Sequence, residues 1–328
     1  MSFTGSFQGV TELAGFIPEI WQDDIIAAYK KRLIMSNLVT KVNHVGKKGD
    51  TIHFPAPSST FRDSAATAKA TDAEVTLVND VSTNVDININ RHFEYSVLLE
   101  DIASIQALSS MRGMYTDQAA YALAKQVDWD LHVLGTGLQG GTLDATPGAP
   151  GNTTSLAYDA AVIGSDGSTL WAPTASTNTG NGAALTDAGI RKMIQTLDDV
   201  DIPMDERALV IPPVERKNLM GLARFTEQAF VGEGGANNTI RTGKIGDIYG
   251  IPVYVSSACP TVSATDVSTK YRAGMMFHKG AFAHVEQLGV RAQSQYMQQY
   301  LADLLTADTI YGTGELRNDA GVAFIVPE

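Results

Sequence analysis

Apolar and polar side chains alternate along residues 85–99, and this pattern constrains the fold more than any other feature of the sequence. One face is apolar except at Arg91, and its other members are Val85, Ile87, Ile89, Phe93, Tyr95, Val97 and Leu99. A period of two residues is typical of a β-strand, and here it continues far beyond the usual strand of about 5–6 residues. At about 3.3 Å per residue, a single strand of this length would reach roughly 50 Å.

The segment 51–55 offers this long strand a partner. Residues 58–71 lie between the two and are too small and polar to bury a core. The sequence therefore predicts a long two-stranded arm with a soft tip. Because an isolated two-stranded ribbon is only marginally stable in water, the arm needs a surface to lie on, and we expect another subunit to provide it.

One helix is predicted on each side of the arm. The first spans residues 18–39, where Pro18 lies in the first turn and is followed by acidic residues, as is typical of a helix start. The second spans residues 101–134, with Gly113 as a potential break, and about 20 residues of it would form a rod of about 30 Å. Its apolar stripe consists of Ala120, Leu123, Ala124, Val127, Leu131 and Leu134.

The segment 135–184 is rich in Gly, Thr, Ser, Asn, Ala and Pro and contains few large apolar residues besides Leu170 and Trp171. This composition predicts a surface loop with room for a short hairpin. The glycine- and asparagine-rich segment 232–238 predicts a second, flexible loop.

A compact α/β unit is predicted over residues 185–260. Thr186 is positioned to cap a helix with the apolar stripe Ile190, Met193, Ile194 and Leu197. A buried strand at 208–211, a helix opened by Pro212 and Pro213, and a strand at 251–256 after a turn at Gly250 complete the unit. Further strands are predicted at 274–278, 290–296 and 321–326.

The formal net charge of −12 argues against a protein that wraps itself in nucleic acid, because phosphate contacts require Lys and Arg. An acidic wall around packed DNA remains compatible with this charge. The sequence contains neither an apolar stretch of about 20 residues nor the pattern of a secretory signal, so no membrane partner is predicted. The single cysteine, Cys259, excludes an intrachain disulfide.

Residues 135–140 match the dinucleotide-binding pattern GxGxxG. In a nucleotide site these glycines follow a strand and open a helix whose N-terminus binds the pyrophosphate. Here they follow a predicted helix and lead into a segment that cannot be helical. We therefore interpret them as the end of a helix and the start of a loop.

The remaining reactive side chains do not form a recognisable site. The histidines are His44, His53, His92, His132, His278 and His284, and none forms an HxxxH pair. Asp128 and His132 predict a local hydrogen bond on one helix face, and Cys259 predicts a small buried side chain. The acidic residues between Asp198 and Glu206 lack EF-hand spacing and are interpreted as a solvated turn. The sequence therefore predicts no catalytic, cofactor-binding or metal-ligating residue, and a protein that is not an enzyme.

The order of the elements resembles the major capsid proteins of tailed bacteriophages, whose α+β architecture is called the Johnson fold, and most closely the short-tailed phage type. The resemblance covers nearly the whole chain outside residues 138–184. The segments that carry it are FIPEIWQDDIIAAYKKRLIMSNLV, GDTIHFPAP, YSVLLED, YTDQAAYALAKQVDWDLH, LDDVDIPMDERALVIPPVERKNLM, GKIGDIYGIPVYVSSACP and TIYGTGELRNDAGVAFIVPE.

This resemblance implies a division of the chain. It comprises an N-terminal arm and first helix (1–45), an extended β-hairpin loop (46–100), the spine helix of the peripheral domain (101–137), a surface insertion (138–184), an axial domain (185–265), and remaining axial and peripheral strands (266–328).

The resemblance also implies a function and a set of partners. Hexamers and pentamers of the chain would close into an icosahedral shell around phage double-stranded DNA, without sequence-specific DNA binding. The shell would assemble in the host cytoplasm and become part of the virion. A separate scaffolding protein is expected because the chain starts close to its first helix, together with a portal and, optionally, a decoration protein. In some relatives a lysine of the extended loop forms a crosslink, and Lys69 is the candidate here.

Three alternatives remain open at this stage. An encapsulin, a bacterial compartment that encloses protein cargo, shares the fold. A nucleotide-dependent enzyme built on residues 185–260 would need a working phosphate-binding loop. A tail or surface-layer protein would assemble into tubes or sheets instead of closed shells.

Overall fold

A computed structural model describes residues 33–56, 68, 69, 71, 72, 74, 75, 83–100, 111–143, 156–176, 178–222, 246–266 and 268–328. The described helices are α1 (Met35–Leu38), α2 (Met111–Val133), α3 (Asp187–Asp198) and α4 (Pro213–Met220). The described strands are β1 (Thr40–Asn43), β2 (Thr51–Ala56), β3 (Thr83–Asn88), β4 (Arg91–Glu100), β5 (Val162–Ile163), β6 (Arg207–Ile211), β7 (Asp247–Ile248), β8 (Ile251–Val255), β9 (Thr261–Ser263), β10 (Lys270–His278), β11 (Phe282–Met297), β12 (Ala302–Glu315) and β13 (Gly321–Pro327). The α+β class predicted from the sequence is confirmed.

The small sheet has four strands in the order β1-β11-β12-β4. Strands β11 and β12 form a long antiparallel hairpin, whose register is irregular between Glu286 and Arg291. Helix α2 crosses one face of this sheet. Ala119 and Leu123 of the helix pack against Ala307 of β12, with Phe93 and Tyr95 of β4 alongside.

The large sheet has seven strands, with the path β5-β13-β10-β6-β8-β7 and β9 paired with β10. Its central strand β6 is buried at every position, as a near-continuous apolar strand between two covered faces should be. Helix α3 buries Ile190, Met193 and Leu197 in the same core.

Two chain connections join the two sheets. Strand β10 leads through the 3-10 turn Lys279–Ala281 into β11, and β12 leads through the 3-10 turn Asn318–Ala320 into β13. The two connections are hydrogen-bonded to each other, since the backbone N–H of Leu316 donates to the Ala281 carbonyl at 2.8 Å. We call this region the joint.

The prediction of one long strand over residues 85–99 is wrong. Strand β3 ends at Asn88 and pairs with β2, which confirms the predicted partner at 51–55. Strand β4 begins at Arg91 and pairs with β12 in the small sheet. Both strands are half-buried, so the alternation of side chains continues unchanged across the point where the pairing partner changes.

The long helix is confirmed over Met111–Val133, but part of its predicted apolar stripe is wrong. Leu123, Leu131 and Leu134 are buried, whereas Ala120 and Ala124 are exposed. From Asp128 onward every residue of α2 is buried, because α1 and both sheets surround the end of the helix. The predicted helix at 18–39 lies outside the described residues except for α1 and the positions beside it.

The described residues 156–176 and 178–184 of the predicted loop are mostly irregular, as expected, but they do not lie on the surface throughout. Strand β5 adds to the edge of the large sheet in parallel with β13, and an isolated antiparallel bridge joins Val162 to Leu170. Trp171 is buried edge-on against Tyr271, with ring centroids 4.7 Å apart. Gly180 and Gly182 lie so close to these two rings that a Cβ would meet ring atoms at 2.5 Å, which explains why this core segment is rich in small residues.

The helices and strands predicted within residues 185–260 are confirmed where they are described, and the grouping of this segment into one unit stays a prediction. The Thr186 hydroxyl accepts a hydrogen bond from the Gly189 N–H at 3.2 Å and caps α3 as predicted. Residues 232–238 lie outside the described residues. Strand β12 was not predicted, because its Ala and Thr residues give little contrast between its two faces.

Candidate assembly surface

The GxGxxG segment forms the 3-10 segment Leu134–Gly140 directly after α2, as the interpretation of a helix end requires. Residues 134–138 are buried. A Cβ at Gly135 would lie 3.0 Å from the Met275 methyl group, and one at Gly137 would lie 2.3 Å from the Glu315 carboxylate. Gly135 and Gly137 therefore allow close packing against protein, which is a structural role for these glycines.

Asp128 and His132 act structurally. The Asp128 Oδ1 atom accepts hydrogen bonds from the Ile34 and Met35 N–H groups at 3.0 and 2.9 Å, which ties α1 to α2. The His132 Nδ1 atom donates to the Asp128 carbonyl at 2.8 Å, which confirms the predicted local hydrogen bond. Over the described residues, no three His, Cys, Asp or Glu side chains are arranged to bind a metal ion.

The predicted acidic turn is held by ion pairs. Asp198 pairs with the buried Arg207 at 2.7 Å, and Glu206 pairs with Lys279 at 2.7 Å. Cys259 is buried, as predicted. Helices within the described part of the chain are all too short or too polar to cross a membrane.

The arm, formed by β2 and β3, is anchored at its root by apolar contacts. Ile87 and Ile89 are buried together with Ala283 and Val285 of β11, while Phe54 packs against this cluster. Farther along the arm the pairs are solvent-exposed, and His53 lies beside Asp86 across the two strands. The described part of the arm ends at Ala56 and Thr83.

A buried polar cluster fixes the strand that continues from the arm. Asp130 of α2 accepts hydrogen bonds from the Tyr311 hydroxyl at 2.7 Å and from Gln126 at 2.9 Å, and it pairs with Arg91 at 3.0 Å. Burial raises the pKa of Asp130 and the Arg91 charge opposes that rise. Burial also raises the pKa of Tyr311, so its hydroxyl stays a donor. The root of the arm is therefore locked to α2.

The outer half of the β11–β12 hairpin is strongly exposed to solvent. Past Glu286 strand β11 loses its neighbour β1, and residues 290–296 are exposed on both faces. The tip presents Tyr300 and Leu301, which are 60% and 65% exposed. Leu301 has a φ of +45°, a strained conformation that directs a large apolar residue outward. We call Tyr296, Tyr300 and Leu301 the hairpin tip.

A groove of about 130 Å³ runs beside this hairpin, between α2 and the small sheet. Tyr115 and Ala119 of α2 line one side, and Tyr95, Ala292 and Leu305 of the sheet line the other. The hairpin tip and this groove were missed by sequence reasoning because both depend on β12. The available signal was the Thr-, Ile- and Tyr-containing segment 304–311, whose composition favours a strand.

These elements together define a class of protein. A long helix across a small sheet, a larger sheet joined to it by two connections, and a two-stranded arm are the architecture of the Johnson fold.

Comparison with solved structures agrees with this class. The chain is 17% identical to the capsid protein in the structure of the cyanophage P-SCSP1u capsid, with a TM-score of 0.69 over 100% of this chain and 97% of that chain. It is 20% identical to a chain from Mycobacterium phage Che8, with a TM-score of 0.68 over 94% and 97% of the two chains. It is 14% identical to a chain of the bacteriophage PhiM1 mature capsid, with a TM-score of 0.64 over 95% of this chain and 91% of that chain.

No protein-family model matches the sequence, and no curated protein matches it. The fold is therefore shared with tailed-phage capsid proteins at a sequence identity that shows the architecture alone.

Proposed function

We propose that the chain is the major capsid protein of a tailed phage, that it assembles as hexamers and pentamers into an icosahedral shell around double-stranded DNA, and that it catalyses no reaction. The observation that carries this proposal is the structural match to phage capsid chains along 94–100% of the chain.

The exposed surfaces support assembly of many copies. The arm, the hairpin tip and the outer part of β11, which has no pairing partner on its β1 side among the described residues, extend from the body, and each offers backbone or apolar groups to a neighbour. Many modest contacts of this kind add up in a closed shell. The net charge of −12 suits a wall that encloses DNA without binding it tightly.

Several finer points belong to the same proposal. We infer a short-tailed phage type, a separate scaffolding protein, a portal, an optional decoration protein, assembly in the host cytoplasm and a place in the virion. The proposed division is arm and first helix 1–45, extended loop 46–100, spine helix 101–137, insertion 138–184, axial domain 185–265 and final strands 266–328. Lys69 remains the candidate for a crosslink.

The hairpin tip gives a direct test of the assembly surface. The double variant Tyr300→Ser/Leu301→Gly removes exposed apolar side chains, and glycine relieves the positive φ at Leu301. We expect sedimentation velocity to show large particles for the wild type and small species for the variant, at an unchanged thermal midpoint of the subunit. If the wild type and the double variant form particles of the same size, the hairpin tip is not part of the assembly surface.

The content of the particles separates the proposed function from an encapsulin. Nucleic acid in particles purified from phage-producing cells, measured by the ratio of absorbance at the nucleic-acid and protein maxima, supports a capsid. Particles that contain only cargo protein would contradict it.

A further inference from the structure

The Glu315 carboxyl lies inside the joint between the two sheets. Glu315 is the last residue of β12 and pairs with Phe282, the first residue of β11. The 3-10 segment Leu134–Gly140 covers it from the side of α2, and the Gln139 side chain donates to the Gly321 carbonyl at the start of β13 at 2.9 Å. The carboxyl therefore lies where the 3-10 segment that follows the long helix meets the end of β12.

Gly137 is matched to this carboxyl. A Cβ at position 137 would meet the Glu315 carboxylate, so Glu315 would have to shift its side chain if residue 137 were larger. Gly137 thus lets the carboxyl lie directly against the 3-10 segment.

One oxygen of the carboxyl lacks the donor that an ionised group needs. The Oε1 atom is buried and has no hydrogen-bond partner among the described residues. An ionised carboxylate without donors is costly to bury, whereas the protonated form costs much less. Burial and, to a smaller extent, the negative charge of Asp319 raise the pKa of Glu315 to about 7.

The described groups around the carboxyl do not neutralise it. The segment Leu134–Gly140 carries no ionisable side chain. On the β12–β13 connection, Arg317 is engaged with Asp319 at 2.8 Å, and on the other connection Lys279 is engaged with Glu206 at 2.7 Å. On β11, burial lowers the pKa of His284 to about 4, so this side chain is neutral near pH 7.

We propose that Glu315 is a proton-operated latch of the joint: the protonated carboxyl lets Leu134–Gly140 close over the β12–β13 connection, and the ionised carboxyl favours separation of these segments. On separation the orphaned oxygen gains water as a partner, which supplies the driving force. The latch acts within one subunit and goes beyond the proposed function, because it requires no shell.

Hydrogen exchange of the full-length subunit tests the latch. We compare the wild type with Glu315→Gln, a neutral side chain of similar shape, between pH 5 and 8 and correct for the intrinsic pH dependence of exchange. In peptides covering 134–140 and 316–321, the opening constant of the wild type relative to the variant should rise by up to about tenfold per pH unit and level off above pH 7. The opening constant rises with pH because the pKa of Glu315 is raised in the closed state, so the carboxyl loses its proton at lower pH when the segments are open.

Two controls keep the latch falsifiable. Asp319→Asn removes a negative charge beside Glu315 and should move the midpoint of the pH dependence to lower pH. Peptides of α3 serve as an internal reference and should show no such dependence. An identical pH dependence in the wild type and Glu315→Gln would overturn the latch, as would the same slope in α3. If Glu315→Gln does not fold, an unchanged midpoint in Asp319→Asn overturns it.

Discussion

Asp130 fixes the contact between the long helix and the small sheet through three partners that come from three different elements. Arg91 begins β4, Tyr311 lies in β12, and Gln126 lies one turn earlier in α2. Because the carboxylate is buried, each donor that it loses leaves part of a charge unsatisfied. The position of the arm root therefore depends on a few polar atoms inside an apolar region.

Removing the Tyr311 hydroxyl tests this dependence. Tyr311→Phe should lower the free energy of unfolding by about 1–3 kcal/mol, since a hydrogen bond to a buried charged group is lost while the ring remains. Denaturant unfolding of the subunit measures the change. Tyr300→Phe is the matched control, because the Tyr300 ring is exposed at the hairpin tip, and its effect should be close to zero. Equal effects of the two substitutions would show that the Asp130 cluster adds nothing to stability.

At the scale of elements, local signals were read correctly where one segment determines its own structure. The cap at Thr186, the apolar stripe of α3 and the buried strand β6 were all predicted from short stretches of sequence. The wrong prediction of one continuous strand over 85–99 depends on pairing between distant segments. The break between β3 and β4 exists because β12 offers β4 a different partner, and no local pattern records that choice.

The insertion 138–184 is a second case in which local composition was not enough to predict the structure. Its small polar residues predicted a loop, yet Trp171 and Tyr271 need glycines beside them in order to pack on the sheet edge. The candidate assembly surface was predicted as far as the arm, whereas the hairpin tip was missed together with β12. The predicted absence of an enzymatic site remains a prediction.

The N-cap of α3 gives a test of an element that the sequence did predict. Thr186→Ala removes the hydroxyl that accepts from the Gly189 N–H and should cost about 1 kcal/mol of subunit stability. Thr186→Ser keeps an acceptor at the same position and should restore most of the loss. Thermal unfolding of the three proteins under identical conditions measures both effects. A serine variant as unstable as the alanine variant would mean that the cap is not the cause.

At the scale of the whole molecule, the subunit combines a closed core with an arm, an open strand edge and an apolar tip at its periphery. The large sheet, α3 and the end of α2 bury their apolar residues within one chain. In the proposed shell, the peripheral groups are the surfaces that neighbouring copies contact. This division of roles is what a shell protein requires, since one sequence must fold first and then fit several neighbouring positions.

Electron microscopy of the full chain, expressed alone and together with candidate scaffolding proteins, tests the central claim most directly. We expect closed shells of uniform diameter, with clusters of five and six copies in averaged images. Folded subunits that stay monomeric or form only small oligomers, tubes or flat sheets under every condition, with scaffold present, would contradict the assignment as a capsid protein.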